Sequence, residues 1–293
     1  MMEFWIIGTG ALVAIACGIL GCFLVLRRMS LIGDAISHSV LPGIVIAFMI
    51  SGSRDSLGML LGASVLGLIT VFLIQLFQQS GVQSDASIGV VFTALFAVGV
   101  VLISLNARQV DLDLDCVLFG EIAYVHWNTI SVLGIDFIPK SVWILGITVL
   151  FILVIIGLFY KQFKICAFDP AMALACGIPV ALFHYVLMGL VSMTTVASFE
   201  SVGAILVVGM LIVPASTAYL LTERLSVMIL YSVLIGIACS VFGYMIAAWL
   251  DASIAGMMVT VAGAIFAIAL VFSPRHGLLM RLRRRRKWAE VAG

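Results

Sequence analysis

"VALFHYVLMGLVSMTTVASFESVGAILVVGMLIVPASTAYLL", residues 180–221, contains no lysine, arginine or aspartate, one histidine (His184) and one glutamate (Glu200). A helix that is apolar all round is buried in a large core or crosses a membrane. Crossing the hydrocarbon takes about 20 residues, so the stretch is far too long for one span. Its strongest interruption is "SFES" at 198–201. Two spans joined there, or one broken helix lining a cavity, both fit.

The rest of the chain agrees with this reading. Hydrophobic residues make up 64% of the 293 positions and charged ones 10%, with a mean hydropathy of +1.29, well outside the composition of a soluble domain. Apolar runs near 5–26, 31–50, 57–77, 86–105, 141–160, 180–197, 200–221, 227–250 and 254–272 predict an all-α polytopic bundle of eight or nine spans. We divide it into one membrane domain, 1–280, and a basic tail, 281–293. The six cysteines show no C-x-x-C spacing and sit mostly in apolar runs, as small packing residues do.

Orientation follows from the basic residues. With Arg27 and Arg28 facing the cytoplasm, alternation of the spans puts Lys161, Lys164, Arg224, Arg275 and the tail on the same side; only Arg54, Arg108 and Lys140 fall outside. The acids mirror this, with Glu3, Asp55, Asp136, Glu200, Asp251 and the cluster at 111–121 on the outer face. An acid-rich mouth concentrates cations, although loops also need charge simply for solvation. The tail reads as an anchor near anionic lipid. Nothing in the charge distribution points to nucleic acid. Between 106 and 140 the alternation of Val110, Leu112 and Leu114 with Asp111, Asp113 and Asp115 has the period of an extended segment. We expect an interfacial or re-entrant outer segment there, also containing Glu121 and His126.

Within the second run, "RRMSLIGDAISHSVLPG" at 27–43 places Asp34 and His38 four residues apart, on one helical face. At about 1.5 Å per residue His38 lies roughly 10 Å into the hydrocarbon. Ionisable groups at that depth are costly and face a bundle interior or water. Three uses remain open: hydrogen bonding to each other or to neighbouring backbone, a proton relay, or a metal path, for which carboxylate plus imidazole suits Mn²⁺, Fe²⁺ or Zn²⁺. Pro42 removes a backbone donor and can kink the helix beside the pair.

The chain has no G-x-x-x-x-G-K-[ST], no H-E-x-x-H and no G-x-S-x-G, so it is not expected to be an enzyme and holds no covalently bound cofactor. "FDPAMALACGIPV" at 168–180 reads as a short helix with Asp169 as N-cap and Pro170 at the first position, ended by Gly177 and Pro179.

"MSLIGDAISHSVLPGIVIAF" closely resembles the second-helix motif of permease subunits of bacterial ATP-binding-cassette importers for manganese, zinc and iron. "DLDCVLFGEI" at 113–122, "FDPAMALACGIPV", "VGAILVVGMLIVPASTAYLLT" at 202–222 and "FSPRHG" at 272–277 agree in order. The resemblance implies a permease of the bacterial cytoplasmic membrane, carrying Mn²⁺ (or Zn²⁺ or Fe²⁺), with Asp34 and His38 as metal ligands. It further implies that the segment with Asp169, Pro170, Ala173, Gly177 and Pro179 is a cytoplasmic coupling helix docking on an ATP-binding subunit. An extracytoplasmic metal-binding protein and a second permease subunit, identical or similar, complete the implied assembly. Glu200 could belong to an outer gate or be an interfacial carboxylate. The rival reading is a proton-coupled metal carrier working without an ATPase.

Overall fold

The computed structural model of the chain describes residues 2–51, 56–106, 122, 125 and 139–273. Within them the regular elements are helices: α1 (Met2–Leu26), α2 (Ser30–Ser39), α3 (Leu41–Ser51), α4 (Ser56–Gln79), α5 (Ser84–Asn106) and α6 (Lys140–Leu158). Two short helices follow, α7 (Tyr160–Phe168) and α8 (Pro170–Ala175), and then α9 (Val180–Val202), α10 (Ala204–Leu221), α11 (Leu225–Leu250) and α12 (Ile254–Phe272). Nine stretches among the described residues are long and apolar enough to cross a membrane, α2 and α3 together forming one of them. In hydrocarbon every backbone polar group must be satisfied within the segment, and the hydroxyls follow the same rule. Thr9, Thr148, Thr194 and Thr217 each donate to the carbonyl four residues back, at 2.7–2.8 Å.

The long apolar stretch resolves into two spans, but not at "SFES". The helix continues through Ser198, Phe199, Glu200, Ser201 and Val202 and breaks at Gly203, with φ 79° and ψ 163°. Polar side chains do not by themselves stop a helix, whereas that backbone region is essentially open only to glycine. The second span is also interrupted. Val40 keeps helical angles and bonds back to Ile36 O at 3.1 Å, while Pro42 removes the donor that the His38 carbonyl would have had.

Packing falls into two groups. In one, α1 lies along α10 and α11, and α12 packs on both of these. Gly21 lets α1 approach until a methyl group there would collide with the Leu211 carbonyl, and Ser232 Oγ donates to Gly18 O at 3.2 Å. In the other, α3, α4 and α5 pack together, with Gly43 of α3 against the Gly62 carbonyl of α4. Small residues at such crossings replace the hydrophobic drive that lipid does not supply. The α9 helix joins the groups by packing on α4, α6 and α1. Interhelical hydroxyl bonds tie the second group to its neighbours, from Thr70 Oγ1 to Ser39 Oγ at 2.8 Å and from Ser192 Oγ to Ser64 O at 3.3 Å.

Long-range contacts fix which ends lie together. Arg27, at the bend after α1, meets His184 near the start of α9. Gly18 and Gly10 of α1 lie against Ser232 and Ser240 of α11, so the end of α1 meets the start of α11. Ser273 Oγ donates to Leu220 O at 2.6 Å, joining the ends of α12 and α10. One end of the bundle therefore carries Arg27, Arg28, Lys161, Lys164 and Arg224, and the other carries Glu3, Lys140 and Asp251. Large apolar side chains such as Leu61, Phe72, Leu150, Leu234 and Ile268 stay exposed along the spans, as lipid-facing residues do.

Candidate functional site

Helix α2 is packed by α5, α4, α9 and α10. These neighbours bury Ile32, Gly33, Ala35, Ile36, Ser37 and Ser39. What they leave open is the stripe Leu31, Asp34 and His38, spaced i, i+3, i+7 as a helix surface requires. The Asp34 and His38 side chains are 42% and 34% exposed, with Asp34 Oδ1 3.6 Å from His38 Nε2. That separation is beyond hydrogen-bond length, so the two groups stand side by side without saturating each other. The His38 ring also sits between Phe92 and Phe96 of α5, each 6.0 Å away between ring centroids. The sequence reading missed these two rings, although their i, i+4 spacing put them on one face of the fourth span.

Among the described residues no group of three or more His, Cys, Asp or Glu side chains is assembled as metal sites require. What the described residues present is a carboxylate and an imidazole side by side on an incompletely covered face of α2. Glu200 lies in the last turn of α9, but its side chain is outside the described residues. So are Asp111, Asp113, Asp115, Glu121, His126, His276 and the tail 281–293, and with them the expected outer segment.

The second constellation is the short helix α8. Asp169 caps it, its Oδ1 accepting the Met172 N–H at 2.9 Å, and Pro170 occupies the first position. At the other end Gly177 takes φ +74°. Ile178 N–H bonds to Ala173 O and Gly177 N–H to Leu174 O, both at 3.0 Å, the paired pattern that closes a helix through a left-handed residue. The helix is therefore fixed at both ends by its own sequence. Ala173 alone is turned inward and fully buried, while Met172 and Leu174 are about 60% exposed and project beside the exposed small residues Ala171, Ala175, Cys176 and Gly177. Beside it lies a groove of about 410 Å³ lined by Lys161, Lys164, Ile165, Phe168, Asp169 and Met172. Pro179 is the N-cap residue of α9, so α8 passes directly into a span that contacts α2.

The fold is a polytopic helical membrane bundle with an Asp/His pair on a partly open face and a capped short helix presented between two spans. The chain belongs to the ABC 3 transport family, whose sequence pattern matches residues 1–273. It is 54% identical over 279 residues to the manganese transport system membrane protein MntD of Bacillus subtilis, covering 95% of each chain. It is 41% identical over 281 residues to the zinc transport system membrane protein TroD of Treponema pallidum, covering 96% of this chain and 76% of that one. Among solved structures it resembles PsaBC from Streptococcus pneumoniae in complex with Fab, with a TM-score of 0.77 at 35% identity, covering 93% of this chain and 92% of that one. ATP hydrolysis in such systems belongs to a separate subunit.

Proposed function

We propose that the chain is the permease of an ATP-driven importer of a divalent transition metal, manganese first and zinc as the competitor, with Asp34 and His38 as the ligands it contributes to the path. The observation that carries this reading is the open pair itself. At metal–ligand lengths of about 2.0–2.2 Å, two donor atoms 3.6 Å apart subtend roughly 110–130° at a shared ion, which is compatible with a four-ligand site. Two ligands from each of two permease chains make four, which accounts for the uncovered face of α2. A second copy or a similar permease occupies that face in this reading, and a weak, shared site is what a conducting path needs. Oxygen and nitrogen donors without thiolate fit manganese and do not reject zinc; the names of both kinds of relative support the same pair of metals.

In the same reading the basic end of the bundle is cytoplasmic, by the excess of Arg and Lys, and so is the tail 281–293. The helix α8, with Asp169, Pro170, Ala173, Gly177 and Pro179 setting its shape, docks on the ATP-binding subunit through Met172 and Leu174. The outer mouth receives metal from an extracytoplasmic binding protein, with Glu200 as a candidate gate residue.

The test is ATP-dependent Mn²⁺ uptake by the permease and ATP-binding subunit in proteoliposomes, with Zn²⁺ as competitor. Asp34→Ala and His38→Ala should each abolish uptake while the complex still assembles. Normal uptake by either variant removes the site. Uptake by the permease alone, driven by a pH gradient, would favour a secondary carrier instead.

A further inference from the structure

Arg27 was read from sequence only as a marker of orientation, yet the fold sets it at a junction. The α1 helix ends with Met29 N–H on Leu24 O at 3.0 Å, and Arg28 takes the left-handed conformation at φ 57°, a position usually given to glycine. The chain therefore turns without slack directly after Arg27, and α2 begins at Ser30. This turn leaves Arg27 half-buried. Its Nη1 lies 3.4 Å from Nδ1 of His184, near the start of α9. The Cys166 thiol of α7 is within electrostatic range, and burial lowers the pKa of the guanidinium from its ordinary value. One side chain thus sits at the bend that leads into α2, contacts α9 through His184 and lies within electrostatic range of α7.

The contact is poorly satisfied. Nε and Nη2 are buried without a hydrogen-bond partner among the described residues, and the single bond to His184 is long. Arginine presents five donors in a fixed fork, and buried donors left unpaired cost stability. An arginine kept only to hold this arrangement together would be better bonded in it. A buried polar group without a protein partner calls for an explanation, and a switch, in which two packings compete for the same group, is one that the position of Arg27 between segments fits.

We propose that Arg27 is a positioning residue that transmits movement of the α7–α8–α9 segment to α2, and hence to Asp34 and His38, its unpaired donors being satisfied when that segment shifts. The inference rests on the importer reading above. The acceptor role of His184 requires only a lone pair on Nδ1, so glutamine can replace it and phenylalanine cannot.

The test uses the whole complex in proteoliposomes and measures Mn²⁺ moved per ATP hydrolysed, together with the melting temperature in detergent. For Arg27→Met the metal-to-ATP ratio should fall about tenfold, within the usual range of coupling between sites. Hydrolysis itself should stay within about twofold, the lower end of that range, and the melting temperature should not drop. His184→Phe should behave in the same way, and His184→Gln should keep most of the ratio. Parallel loss of transport, hydrolysis and thermal stability in Arg27→Met would make the residue structural and overturn the proposal. An unchanged ratio in both Arg27→Met and His184→Phe would also overturn it. Absence of ATP-dependent uptake by the unmodified complex is a different failure, which removes the importer reading and this inference with it.

Discussion

Gly177→Ala offers a clean perturbation of α8, the helix proposed to dock on the ATP-binding subunit. Gly177 sits at φ +74°, and a β-carbon built there meets nothing within 4 Å, so the substitution adds no collision and removes no packing. Its whole effect is the left-handed backbone, which costs an L-residue about 1–2 kcal/mol. That cost falls on the pair of bonds from Ile178 to Ala173 and from Gly177 to Leu174, which close the six-residue helix α8. If α8 docks in its capped form, the cost is charged to binding and weakens the complex with the ATP-binding subunit about 5- to 30-fold. Asparagine tolerates the left-handed region far better, so Gly177→Asn should lose only a fraction of this. Titrating the purified permease with the ATP-binding subunit and recording the melting temperature of the permease alone separates the two effects. Equal affinity for wild type and Gly177→Ala would refute the docking assignment, and a fall in the melting temperature of the free permease comparable to that of a core mutant would refute the claim that the strain is local.

Other consequences are as specific. Cys176, at the end of α8, is exposed, whereas Cys17, Cys22, Cys166 and Cys239 are buried; maleimide should label Cys176 rapidly in the free permease and much more slowly in the complex, as read by mass spectrometry. Gly21→Ala drives a methyl group into the Leu211 carbonyl and should destabilise the α1–α10 crossing by about 1–3 kcal/mol, whereas Gly8→Ala, with nothing within 4 Å, should leave the melting temperature unchanged. Asp169→Ala removes the cap on Met172 and should weaken docking by about 1 kcal/mol, without affecting the melting temperature of the bundle.

The sequence made the spans legible because a membrane demands an unbroken apolar run for each crossing, a signal that survives without knowledge of tertiary contacts. It made α8 legible for a similar reason. Asp169, Pro170 and Gly177 act through bonds to their immediate neighbours, so their roles are local. The break after α9 was misplaced because hydropathy registers the polarity of "SFES" and is blind to the backbone freedom of Gly203. Arg27, Phe92 and Phe96 were not recognised because their significance lies in what they touch, His184 on a distant helix and His38 across the α2–α5 contact. The inward turn of Ala173 could not be read either, since a six-residue helix has too few positions to reveal which face it buries.

The location of the pair on α2 has a physical logic that neither residue shows alone. On the proposed function, a carboxylate and an imidazole that bind and release an ion cannot be locked into mutual hydrogen bonding, and cannot be left in lipid. The helix meets both demands by burying every residue around the stripe while leaving Asp34 and His38 open, at a separation of 3.6 Å. Its ends are also decoupled from straight helical continuity, by the left-handed Arg28 on one side and by Pro42 on the other. A segment of ten residues bounded in this way can tilt as a unit with modest loss of backbone bonding. A continuous span through residues 27–50 would have to bend or slide as a whole. Joining α2 and α3 by replacing Pro42 with alanine should therefore stabilise the span and slow release of the ion, lowering the turnover of uptake more than its apparent affinity for Mn²⁺. If turnover and affinity were both unaffected, the break beside the pair would be a packing accident, and movement of α2 would have to be sought elsewhere.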